Sequence, residues 1–156
     1  MPLRYIELVS AVTRSLPPLP IADMGPPVLT PLRKPLREAR VMIITSAGVH
    51  RKGDPPFSPT NDMTFRRLPQ AMEPSQLLPS HPTPVRRPGE EDINVVYPYQ
   101  RLAELAKEGF IGGVTEYHLS MLGAIKRLRE LVTEMAPQMA ADAKAAAADV
   151  VLHVPL

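Results

Sequence analysis

The hydrophobic pattern changes character near residue 99. Before it, Val41-Met-Ile-Ile-Thr45 is a nearly continuous apolar run preceded by Arg40 and followed by Ser46-Ala-Gly48. A strand buried on both faces of a parallel sheet has that profile, because neither side has to meet water. Thr64-Phe-Arg-Arg-Leu68 predicts a weaker strand stopped by Pro69, and Gln76-Leu-Leu78 a third short extended piece. Ile93-Asn-Val-Val96 predicts another strand, ended by Pro98. Past that point apolar residues recur every three or four positions. Tyr99, Leu102, Leu105 and Ala106 share one side of a helix over residues 99–108, with Gly109 as its stop. Leu122, Ile125, Leu128, Val132 and Met135 form the stripe of a second amphipathic helix. Pro137 should kink that helix or start a new one running to Ala148, and Asp149-Val-Val-Leu152 opens the last strand.

Strands alternating with helices predict an α/β fold: a mainly parallel sheet with flanking helices and a proline-rich N-terminal arm. Tyr5, Ile6, Leu8, Val9 and Val12 have helical spacing, and Pro17-Pro18 ends that helix. Residues 17–39 read as an extended arm, since Leu16-Pro-Pro-Leu-Pro20 and Gly25-Pro-Pro27 favour polyproline II and turns. Such an arm packs across the domain or a partner subunit; a flexible linker is the alternative. The expected division is therefore residues 1–39, helix and arm, and residues 40–156, an α/β domain that is incomplete and continues beyond the chain end. No internal repeat is visible.

Composition narrows the function classes. Of the 20 prolines, 18 precede residue 99, so short strands and loops should fill the first two-thirds. A net charge of +2 with scattered basic residues, no Trp and few aromatics argues against nucleic acid. No run of about 18 apolar residues exists to span a membrane. Met1-Pro-Leu-Arg-Tyr-Ile6 lacks the basic-then-apolar order of a signal peptide, so a cytoplasmic protein is expected. The absence of cysteine excludes disulfides, thiolate nucleophiles and Cys-ligated zinc within these 156 residues.

Candidate chemistry sits in loops. Thr45-Ser-Ala-Gly-Val-His50 follows the clearest strand, where open α/β sheets place their sites, and Ser46 and Gly48 let a backbone approach a ligand. It carries one glycine and no dinucleotide fingerprint. Ser80-His81-Pro82 lies among prolines that hold an imidazole stiffly. His50 and His81 are thus candidate proton donors or acceptors, against the plainer reading of structural hydrogen bonds. His118 and His153 are further candidates to line the site. No spacing gathers the histidines into a metal site, and none is expected. Gly89-Glu-Glu-Asp92 reads as a solvated acidic turn, Gly109-Phe-Ile-Gly-Gly113 as a connector, and Arg33, Lys34, Arg37 and Arg40 as a solvated basic face.

Several segments in this order resemble one family: Thr30-Pro-Leu-Arg-Lys-Pro-Leu36, Arg40-Val-Met-Ile-Ile-Thr-Ser-Ala-Gly-Val-His50, Asp54-Pro-Pro-Phe57, Ser80-His81-Pro82, Asp92-Ile-Asn-Val-Val-Tyr-Pro98 and Tyr117-His118. Together they are similar to the selenoprotein B family of glycine, sarcosine, betaine and D-proline reductases, from about Pro2 to Leu156. The resemblance implies reductive cleavage of a C–N bond in a small amino acid or betaine. It also implies a selenocysteine or cysteine just after a strand like the last one here, a pyruvoyl group on a partner subunit, other reductase subunits as partners and a dithiol electron donor. The redox residue is accordingly expected just after Leu156, with the chain inactive by itself and no cofactor held within it. Selenocysteine is encoded by UGA, which gives the expectation of a truncated reading of a longer selenoprotein. A sheet ending at such a strand leaves an unpaired edge, which favours a homo-oligomer. The competing expectation is a non-catalytic α/β module that binds a partner through its proline-rich arm.

Overall fold

The computed structural model describes residue 26 and residues 30–84 and 86–156. The helix expected over residues 5–14 and most of the arm lie outside the described residues. The sequence segments that alternate between apolar runs and helical stripes build an α/β fold around one mainly parallel sheet. Its strands are β1 (Arg40–Thr45), β3 (Phe65–Pro69), β5 (Gly113–Val114), β6 (Tyr117–Met121) and β7 (Val150–Val154), while β2 (Val49–Arg51) and β4 (Leu77–Pro79) form a separate antiparallel pair. Helices are α1 (Arg86–Glu91), α2 (Tyr99–Lys107), α3 (Leu128–Glu130) and α4 (Ala136–Ala145).

β1 is the centre. Val41 pairs with both Val114 and Val150, and Ile44 with both Leu119 and His153, so β5 and β6 share one edge of β1 and β7 occupies the other. All three contacts are parallel; β3 closes the far side by pairing antiparallel with β6. Flanked on both edges and both faces, residues 41–44 of β1 meet packed neighbours on every side, which explains the apolar run. Even residues Met42 and Ile44 face α4 together with Leu119, Met135, Met139 and Ala143. Odd residues Val41, Ile43 and Ala47 face the opposite layer of Tyr97, Tyr99, Leu102 and Ile111. β7 is different. Among the described residues its outer edge has no partner, and Val151 and Leu152 are 44% and 39% exposed.

The edge shared by β5 and β6 is not a plain ladder. Three steps along β1, from Val41 to Ile44, match five on the neighbouring edge, from Val114 to Leu119, so two residues bulge out around Thr115. Thr115 N–H still reaches Val41 O (3.1 Å), but Ile43 N–H is left facing the bulge. His118 Nδ1 accepts it at 3.1 Å. A buried backbone donor is costly to leave unmade, and this imidazole fills the missing rung.

Two expectations need correction. Ile93–Val96 is not a strand: Ile93–Val95 is a 3₁₀ turn, with Asp92 Oδ1 accepting from Asn94 N–H (2.9 Å) and Ile93 O accepting from Tyr97 N–H (2.8 Å). The capping aspartate offers the backbone a local bond that a strand would forgo, and the turn still buries Ile93, Val96 and Tyr97. The helix expected from Leu122 begins only at Leu128. Leu122 bridges to Ala47, and Lys126 N–H donates to Asn61 Oδ1 (2.6 Å), so residues 122–127 are held as a loop. Pro137 meets one of its two expectations: it stands in the first turn of a new helix, which ends at Ala145 rather than Ala148. A π-helical turn, Leu131–Met135, joins α3 to α4 and places Pro137 in the first turn of α4. The wider turn accommodates the ring and the missing N–H where an α-helical turn would clash.

The described part of the arm runs back along the domain. Lys34 Nζ lies 2.7 Å from Asp149 Oδ2, and that carboxylate also accepts from Arg40 N–H (2.8 Å). Gly112 fits against the same stretch: a Cβ there would stand 2.3 Å from the backbone carbon of Glu38.

Candidate functional site

Because β1, β6 and β7 run parallel and in register, their carboxyl ends emerge side by side. Ser46 ties them together. Its N–H donates to Val154 O (3.0 Å), its carbonyl accepts from Gly123 N–H (2.8 Å), and its hydroxyl accepts from Leu156 N–H (2.8 Å). One small residue thus joins three strand ends, at the place where an open α/β sheet presents its chemistry.

Gly48 turns the chain at φ +64°, and its N–H donates to Met121 O (2.8 Å). A Cβ at Gly48 would come within 2.8 Å of Leu122 Cδ1 and 3.3 Å of Phe57 and Ser80, so both the dihedral and the space call for glycine. The antiparallel β2–β4 pair then returns the chain to this turn: Ser80 N–H donates to Ala47 O (3.2 Å) and Gly48 O (3.1 Å), and His81 N–H to Ala47 O (3.1 Å). Two loops separated by thirty positions in sequence therefore meet.

His50 is buried there, with Nδ1 3.0 Å from Ser80 Oγ and 3.2 Å from Gly48 O. A carbonyl can only accept, so the second contact requires the proton on Nδ1 and leaves Nε2 as an acceptor. Phe57 meets the ring edge-on at 6.4 Å between centroids. His81 is also buried, with Nδ1 3.0 Å from Thr83 Oγ1, and desolvation holds its pKa below the ordinary imidazole value. Below the strand ends, Thr45 Oγ1 donates to Val96 O (2.7 Å), anchoring the 3₁₀ turn to the sheet.

Between β7 and the α3–α4 segment lies a groove of about 800 Å³. Ile44, Met121, Leu131 and Met139 make its floor and wall, Ser46, His153 and Lys144 supply its polar side chains, and none of the described lining residues is acidic.

The structure thus brings Ser46, Gly48, His50 and His81 around one turn, and His153 onto the groove face of β7. His118 is not at this mouth. It is fully enclosed in the sheet beside Tyr97, ring centroids 5.7 Å apart, and burial pushes its pKa down to about 4. Sequence reasoning included Thr45 only as the start of the candidate turn and did not single out Arg66, Tyr97 or Ser120, all of which carry polar groups on the same side of the sheet. Alternation of apolar and polar residues along Tyr117–Met121 was the one signal available, and the helical stripe beginning at Leu122 masked it. Among the described residues no group of three His, Asp or Glu side chains is placed to hold a metal ion, and no helix is long and apolar enough to cross a membrane.

No family model and no solved structure matches the chain. It is similar to D-proline reductase subunit gamma of Acetoanaerobium sticklandii, with 32% identity over 127 residues. The match takes in 81% of this chain and 52% of the relative, so the chain spans about half the length of the curated relative it matches.

Proposed function

Starting from that similarity, we propose that the chain is the sheet-bearing part of a reductase subunit of the selenoprotein B type, in the group of glycine, sarcosine, betaine and D-proline reductases. The reaction class adds two electrons and two protons across a C–N bond. The bond breaks to leave C–H and N–H, and a dithiol is oxidised to a disulfide. The substrate is a small amino acid or betaine. Other reductase subunits, one bearing a pyruvoyl group, and a dithiol donor are the partners, in the cytoplasm.

The observation that carries this reading is the match to a D-proline reductase subunit over most of the chain, at 32% identity. The site geometry supports it. The carboxyl end of β7 lies against Ser46 in a groove with no acidic side chain among its described lining residues, surroundings compatible with an anionic chalcogen side chain following the strand. Such a side chain supplies a nucleophile that is ionised near neutral pH. This chain's own residues prepare the mouth. Ser46 fixes the strand end, Gly48 and Gly123 leave it open, and His50 presents Nε2 as a proton acceptor on a ring held by Ser80 and Gly48. An imidazole so placed receives a proton and returns it to the departing amine.

Two measurements test the reading. The mass and selenium content of the native gene product should exceed 17.2 kDa and show selenium; a functional native product of 17.2 kDa without selenium would overturn it. In the complete protein assembled with its partners, His50→Ala should lower turnover about 100-fold, the scale of general acid–base catalysis. Unchanged turnover would remove His50 from the mechanism.

A further inference from the structure

Four buried polar groups on one face of the sheet meet no hydrogen-bond partner among the described residues: Arg66 Nη1, Ser120 Oγ, His118 Nε2 and Tyr97 Oη. They are neighbours by construction. Arg66 and Ser120 are directly opposite in the β3–β6 ladder, and opposite residues of an antiparallel pair project to the same face. His118 lies two positions before Ser120 on that face. Tyr97 stands edge-on to His118, and Thr45 of β1 is paired beside Ser120. Ser120, His118 and Tyr97 have no exposure at all.

The four groups also agree in sign. Arg66 donates only, and His118 accepts from Ile43 at Nδ1, so its neutral ring carries the proton on Nε2. The hydroxyls of Ser120 and Tyr97 can donate as well. Burial raises the Tyr97 pKa, which keeps that proton in place. Unmade buried donors are uncommon in native proteins, and four in one cluster, one of them permanently cationic, describe a receptor for an anion. Arg66 is placed for the role. Its guanidinium stacks on Phe57 at 4.1 Å, and Phe57 in turn touches the His50 ring. Asp62 feels the Arg66 charge but forms no ion pair with it within salt-bridge distance. Burial acts to raise the Asp62 pKa, but bonds from the Thr64 hydroxyl and the Ser58 and Thr64 N–H groups, with the Arg66 charge, outweigh it.

We infer that this cluster binds the carboxylate of a small molecule, with Arg66 and Ser120 as its principal donors, on the His50 side of the sheet. A carboxylate fits because a guanidinium and a hydroxyl facing each other across a ladder offer several short, charge-assisted bonds to two oxygens. The further assignment, that the carboxylate belongs to an amino acid or betaine undergoing C–N cleavage, rests on the function proposed above.

Calorimetric titration of the 156-residue chain with acetate, betaine and D-proline, with methyl acetate as the uncharged control, tests it. The carboxylates should bind and the ester should not. Arg66→Gln should weaken binding by about tenfold or more, as expected for hydrogen bonds to a charged group. Ser120→Ala should also weaken binding while leaving the thermal unfolding of the free chain unchanged or raised, because its hydroxyl has no partner to lose; a merely structural serine would show the reverse. No carboxylate binding, or binding that both variants leave untouched, overturns the inference. Binding of acetate without betaine or D-proline keeps the site and removes the substrate assignment instead.

Discussion

The two faces of the sheet are built from the same strands and do different work. Toward α4, β1 and β6 present Met42, Ile44, Leu119 and Met121 to Met135, Met139 and Ala143, an apolar contact in which size and shape are all that matters. Toward Tyr97, β1 adds Val41 and Ile43 to a second apolar cluster, but Thr45, His118 and Ser120 on the same side are buried as deeply and are polar. Alternation in a strand makes this division possible at single-residue resolution. Both faces carry apolar core, but only the second also holds unmade hydrogen bonds, which a ligand would repay.

That contrast predicts opposite responses to substitution. On the apolar face, Leu119→Ala should cost about 3 kcal/mol in denaturant unfolding, within the range for emptying a fully buried site; a loss well below that would mean the Met-rich face collapses into the gap. On the polar face, the His118 ring makes stability depend on pH. Its folded pKa, about 4, lies below the ordinary imidazole value, so the unfolded chain binds more protons between roughly pH 4 and 6.5. The contribution is fully present above that window and is lost as pH falls through it, on the order of 3 kcal/mol. Unfolding measured from pH 7 to 4 should show that slope, and His118→Gln should flatten it. The smallest effect belongs to Tyr97→Phe. Removing a hydroxyl that bonds to nothing should leave stability within about 1 kcal/mol of the parent, or raise it. A clear loss there would mean the phenol is already satisfied and would weaken the division between the faces.

How far the sequence reveals this division depends on what each residue reports. β1 and β7 were legible because burial of β1, and the apolar run of β7 after an alanine-rich helix, leave a local trace. α2 was legible from its stripe and from Gly109, which adopts φ +79° just past the helix end. β6 was not, since its polar alternates His118 and Ser120 are buried, so a strand enclosed on both faces reads as a half-buried one, while the run from Leu122 imitates a helix. α1 was hidden by Pro88 and Gly89 inside it; Gly89 is there because a Cβ would strike Val96 at 2.8 Å. The candidate site divides the same way. His50 and His81 stand out as histidines in loops after apolar segments. Arg66, Ser120 and Tyr97 become neighbours only through the β3–β6 register and the two-residue bulge at Thr115, and register is a property of pairing that no single segment displays.

The outer side of β7 carries one more lesson. Strands that end a sheet are usually blunted by charge, proline or a covering segment. Val150–Val154 contains none of the four charged residue types, and Pro155 comes only after it. Among the described residues nothing pairs with these rungs, and unpaired rungs accept an extended peptide, including another molecule of the same sort. Melting temperatures and unfolding free energies of the purified polypeptide should therefore be read as functions of dilution, with the limiting value at low concentration taken as the property of the single molecule.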